Sequence, residues 1–205
     1  MAKKYVAVTL RGDTALMFNK EQESEPSRDI DPRKLAAKKL HVDGKGKPCI
    51  PKLLLMRALI GAGIYVQYHK MRNFTSGKPP NLSSIVTSCV DIVEDHCVIS
   101  PSTWEVDQQP HNAHTAGKVS RPRGGAVRPR FPRGWSVSFT LEYDTDDPKI
   151  TEAKVRQLLE TAGKKVGIGS YRVENTGWYG KFKVGAWKPL SSFKVLAKDL
   201  RKRAV

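Results

Sequence analysis

The chain has 205 residues, of which 39% are apolar, enough for one large domain with its own core and too many for disorder throughout. Lys and Arg number 36 against 20 Asp and Glu, a formal charge of +16. Such an excess repels itself in a folded protein and is normally kept for a polyanion, of which nucleic acid is the commonest.

The N-terminus, MAKKYVAV, has neither the apolar run nor the cleavage site of a secretory signal, so a cytoplasmic location is expected. Tyr5 to Leu10 is rich in β-formers and stops at Arg11-Gly12-Asp13, which predicts a first strand. Residues 19 to 34 mix charges with two prolines and predict a polar connection, and Asp43 to Gly46 predict a turn. After Pro51 an apolar run predicts a helix of about five turns whose stripe is Leu55, Leu59, Ala62 and Val66. It is broken by Arg57 and too short to cross a bilayer comfortably, so no membrane partner is expected. Gly61 and Gly63 within it would let the helix approach a sheet closely.

Ser84 to Glu94 reads as a strand, continued or paired by His96 to Ser100. Trp135 to Tyr143 alternates apolar and polar over nine residues and gives the clearest strand of the chain. A helix is expected from Thr151 to Ala162 with Val155, Leu158, Leu159 and Ala162 on one stripe. The glycine-rich stretch that follows leads into a last strand from Tyr179 to Val184. The order strand, helix, strand, strand, helix, strand is that of an α+β, ferredoxin-like (βαββαβ) fold, an antiparallel sheet with both helices on one face. The expected domain is residues 1–187, with a basic tail over 188–205.

Between the second and third expected strands, from Gln108 to Leu141, there is no Asp or Glu at all, while Lys118, Arg121, Arg123, Arg128, Arg130 and Arg133 supply six cations among prolines and glycines. Planar guanidinium forks match phosphate oxygens, and the prolines keep the backbone extended, so the cations are expected along one surface that follows a sugar-phosphate chain. Tyr171, Trp178 and Tyr179 lie beside Arg172, Lys181 and Lys183. Aromatics interleaved with cations suit base stacking with phosphate neutralisation, although Trp178 and Tyr179 can equally belong to the core. His111 and His114 open the basic stretch and would be the acid-base groups of a nuclease, but no defined partner acid accompanies them. Cys49, Cys89 and Cys97 are odd in number and lack C-x-x-C spacing, so they are read as reduced thiols. A zinc site made with a histidine such as His96 is one reading, but such scattered Cys and His are more often packing or surface residues, so neither a metal nor a cofactor is expected.

The fold order, together with Gly167, Gly169, Gly177 and Gly180 and with Phe182, resembles the RAMP superfamily, the RNA-binding subunits of CRISPR effector complexes. GIGSYR followed by GWYGKF is also similar to phage and mobile-element proteins with the same C-terminal half. The resemblance implies backbone contacts to RNA from Gly167 and Gly169, with Arg172 nearby, and a thumb-like role for residues 108–133. The closing glycine spacing departs from the family pattern, and no catalytic histidine can be matched. The expectation is a non-catalytic protein that binds single-stranded nucleic acid, RNA before DNA, through phosphates, as a repeated subunit of a ribonucleoprotein or filament. Self-association or other subunits of a ribonucleoprotein complex are the expected protein partners, and the alternatives are a metal-independent endoribonuclease and a structural component of a phage or ribonucleoprotein assembly.

Overall fold

The computed structural model of the chain describes residues 3–20, 31–78, 81–109, 114–115, 118–119 and 126–190. Strand β1 (Lys3–Gly12) buries Val6, Val8 and Leu10 and leaves the residues between them more exposed, the period-two pattern of a half-covered strand. The two-residue β2 (Leu16–Met17) follows. Helix α1 (Pro32–Lys38) begins where the Asp31 carboxylate accepts from the Arg33 N–H at 2.8 Å, with a proline in the first turn, where its missing N–H costs nothing. Strand β3 (Cys49–Pro51) runs directly into α2 (Lys52–Ala62). Two hairpins come next, β4 (Gln67–His69) with β5 (Arg72–Asn73), and β6 (Thr75–Lys78) with β7 (Asn81–Ser84). A single turn, α3 (Val86–Cys89), precedes β8 (Val90–Ile92) and β9 (His96–Ser100). Then follow β10 (Glu105–Gln109), β11 (His114–Thr115), β12 (Lys118–Val119) and β13 (Ala126–Phe131). The chain continues through β14 (Ser136–Asp144), α4 (Glu152–Thr161) and β15 (Phe182–Leu190).

The architecture is α+β with antiparallel sheets. The main sheet has the order β15-β1-β14-β9-β3, and β8 also pairs with β14. Val6, Val8 and Leu10 stand opposite Leu141, Phe139 and Val137 in register, and all six are buried in one cluster with Leu55 and Leu59 of α2 and Val155, Leu158 and Leu159 of α4. Both helices therefore cover the same face, and each large side chain sealed there contributes roughly 1.5–3 kcal/mol. The opposite face carries Thr9, Arg11, Ser136 and Ser138.

Three expectations are corrected. The helix after Pro51 ends at Ala62, after three turns rather than five, because Thr75 of β6 takes over its end. The Thr75 hydroxyl donates to the Ile60 carbonyl at 2.8 Å and its N–H to the Gly63 carbonyl at 3.1 Å. Gly63 makes room for that contact, since a Cβ there would sit 2.3 Å from Thr75 Oγ1, while Gly61 faces Val166 rather than a sheet. Val66 remains buried outside the helix. Residues 84–94 are not one strand: the Ser84 hydroxyl accepts from the Val86 N–H at 3.2 Å and starts the α3 turn, leaving only Val90–Ile92 extended. The last strand begins at Phe182 instead of Tyr179 and runs to Leu190, beyond the expected boundary at 187. The remaining tail residues, 191–205, lie outside the described residues.

Candidate nucleic-acid interface

The basic stretch enters and leaves through a second, three-stranded sheet of order β10-β13-β2. Glu105↔Arg130 and Gln108↔Val127 fix its register, so β10 and β13 are two antiparallel arms with residues 110–125 between them. Along β13, Val127, Pro129 and Phe131 are buried, and Phe131 meets Phe18 edge-on at 5.8 Å, beside α1. Alternation then turns Arg128 and Arg130 to the other face, where both are half-buried.

That face is met by the glycine-rich loop. Its residues follow a π-helical turn, Ala162–Val166, and lie against the segment 15–17: Ser170 N–H donates to the Met17 carbonyl and Gly180 N–H to the Ala15 carbonyl, both at 2.8 Å. Because β2 also pairs with β13, the loop is brought alongside Arg128 and Arg130. Two glycines make this approach possible. A Cβ at Gly169 would lie 2.3 Å from the Met17 oxygen and one at Gly180 would lie 1.8 Å from the Ile168 oxygen, and both residues have positive φ, 83° and 70°. The Gly167 N–H is already donated to the Ala162 carbonyl at 2.8 Å. The glycines thus allow the close packing of the loop.

The guanidinium of Arg128 lies 4.7 Å from the centroid of the Tyr171 ring, a cation–π stack. Tyr179 is buried and hydrogen-bonds to Arg130, whereas Trp178 is 63% exposed with its ring 5.7 Å from that of Tyr179. Of the two places open to these aromatics, Tyr179 takes the core and Trp178 the surface. Lys39, at the C-terminal cap of α1, has its ammonium pKa lowered by burial and then by the charge of Arg128, so two like charges act on each other here. Sequence reasoning missed Lys39; its place in the Lys38-Lys39 pair after a helical run was the available signal, since cations favour helix C-termini.

The expected row of available cations is corrected in part by the protein's own carboxylates. Arg130 pairs with Glu105 at 2.8 Å and approaches Asp107 at 3.6 Å, and the Glu105 hydrogen bond holds its pKa above the usual arginine value. Arg172 pairs with Glu174 at 2.8 Å and Lys183 with Asp13 at 3.0 Å. These carboxylates come from segments distant in sequence or from the next turn, which counting within residues 108–141 does not detect. Arg133 is exposed in the loop after β13 and lines a different cavity, with Arg11 and Lys183. Lys181 is held by its N–H, which donates to the Thr14 hydroxyl at 2.9 Å.

His111, Arg121 and Arg123 lie outside the described residues, and His114 and Lys118 belong to the short pairing of β11 with β12. Cys49, Cys89 and Cys97 are unbridged and buried; burial pushes their thiols up to about 11, 11 and 12. Among the described residues, no three His, Cys, Asp or Glu side chains are grouped to hold a metal, and no helix is long and apolar enough to cross a membrane.

No family model matches the chain, and no curated protein does. Among solved structures, the chain is similar to one described as type III-B Cmr-beta bound to cognate target RNA, at a TM-score of 0.47 and 10% identity over 92% of this chain. It spans 61% of that neighbour's length. It is also similar to Cmr6 from Pyrococcus furiosus, at a TM-score of 0.41 and 13% identity over 90% of this chain and 99% of that one.

Proposed function

We propose that the chain is a non-catalytic RNA-binding subunit of a ribonucleoprotein, with its main sheet and two helices read as a ferredoxin-like unit and residues 108–133 as a basic insertion beside the glycine-rich loop. The bound species is single-stranded RNA. Its phosphates are neutralised by Arg128 and Lys39 and by the cations of the insertion, and a base stacks on Trp178. The observation that carries this reading is an exposed indole close to a cation–π stack: Trp178 is 63% exposed, the N–H of its neighbour Tyr179 donates to the Tyr171 carbonyl at 3.0 Å, and Arg128 lies 4.7 Å over the Tyr171 ring. A large exposed aromatic among cations is what sequence-tolerant stacking uses. No chemical step is assigned to the protein, so labelled RNA is expected to be recovered intact after incubation.

Fluorescence anisotropy with a labelled single-stranded oligoribonucleotide tests the reading. Trp178→Ala is expected to weaken binding by about 1–3 kcal/mol, roughly five- to 150-fold. Its exposure predicts unchanged folding, within about 0.5 kcal/mol. Unaltered affinity in this variant would remove the stacking half of the proposal.

A further inference from the structure

A second basic surface lies at the other end of the glycine-rich segment, and its arginine on β1 was not among the sequence candidates. Two cavities, of about 330 Å3 and about 400 Å3, adjoin at Asp13 and Lys183, the first on the open face of the main sheet and the second beside the end of α4. Arg11 and Arg133 line the first, and Lys164 and Lys181 line the second. The first cavity, the groove, is built on the main sheet. In register, Arg11 stands between Lys183 of β15 and Ser136 of β14, so these three side chains form a row on the face away from α2 and α4. Arg11 lies across Gly185, where a Cβ would come 3.1 Å from its Cγ and 3.3 Å from its Nε. Arg133 is brought in by the pairing of Gly12 N–H with the Trp135 carbonyl at 2.7 Å and of Gly134 N–H with the Gly12 carbonyl at 3.1 Å.

The acids of the two cavities are both engaged, Asp13 with Lys183 at 3.0 Å and Glu160 with Arg156 at 3.0 Å. Arg11, Arg133, Lys164 and Lys181 make no ion pair among the described residues. A concave surface lined by such cations attracts a polyanion, and its arginine forks fit phosphate oxygens. It also lies near the first site, because Tyr179 and Lys183 are four residues apart, at most about 14 Å of chain. We propose that this groove is a second phosphate track for the same strand: RNA whose base stacks at Trp178 continues with its phosphates over Arg11 and Arg133. This rests on the reading of the first site as an RNA-binding face.

The test compares oligoribonucleotides of about 4 and about 12 nucleotides, binding to wild type, to Arg11→Gln with Arg133→Gln, and to Trp178→Ala, between about 50 and 200 mM salt. The double glutamine variant is expected to bind the longer RNA about tenfold more weakly, with a salt slope shallower by about 1.4, and the shorter RNA as wild type does. Arg11→Lys with Arg133→Lys keeps the charge and is expected to keep the slope, and thermal melting of all variants checks that they fold. An unchanged slope for the longer RNA in the double glutamine variant overturns the groove, as does an equal loss for both lengths. If Trp178→Ala binds like wild type while the glutamine variant loses affinity for the longer RNA, the groove stands and the stacking platform falls. If wild type binds neither RNA, both fall.

Discussion

Strands β14 and β13 are close in sequence, both alternate and both bury one face, yet their outward faces are put to different uses. On β14 the outward polar groups are satisfied within the protein. The Ser138 hydroxyl meets that of Thr9 at 2.8 Å, the Ser136 hydroxyl donates to the Ser100 carbonyl at 3.1 Å, and the Glu94 carboxylate accepts from both the N–H and the hydroxyl of Thr140. On β13 the outward residues are Arg128 and Arg130, one stacked on an aromatic ring and one turned toward Glu105 and Asp107. The lesson is that a count of cations overstates what a ligand can meet: the fold takes Arg130, Arg172 and Lys183 into internal pairs and leaves Arg11 and Arg133 to the surface.

The contrast can be broken by substitution. The inner face of β14 should show the largest effect: Phe139→Ala opens a cavity in the core and is expected to lower stability by about 3–5 kcal/mol in urea unfolding. The buried thiols give the next. Their folded pKa values of about 11 to 12 exceed the ordinary thiol value, so the unfolded chain loses those protons first and stability is fully present below pH ~9. It should then fall as pH rises from about 9 towards 12, and replacing all three cysteines by Ala should flatten that part of the curve measured by denaturation.

Arg130→Ala leaves Asp107, only 7% exposed, without its nearby cation, and is expected to lower stability by about 1–3 kcal/mol. A stability loss with little change in the salt dependence of RNA binding would mark Arg130 as structural, and the reverse result would restore it to the interface. Ser138→Ala is expected to have the smallest effect, about 1 kcal/mol, because only the hydroxyl bond to Thr9 is lost.

Much of the main sheet was legible because alternation is a local property. The nine residues from Trp135 and the stripe of α4 needed no knowledge of their partners. The end of α2 was not legible, since it is fixed by Thr75, thirteen residues further on, taking helix carbonyls that a longer helix would have used itself. At the candidate site the aromatics and arginines were legible as residue types. Their allocation was not: Asp13 reaches Lys183, and Glu105 reaches Arg130, only after strands pair. Lys39 and Arg11 were missed for the same reason, because each gains its neighbours from a distant strand.

On the proposed reading, single-stranded RNA is held through its phosphates on the basic surface near Trp178. The most direct test is the affinity of wild-type protein for a labelled single-stranded oligoribonucleotide as a function of salt. The account predicts a linear fall of log affinity with log salt, of slope about −2 or steeper for three or more neutralised phosphates. An affinity that does not change with salt contradicts it.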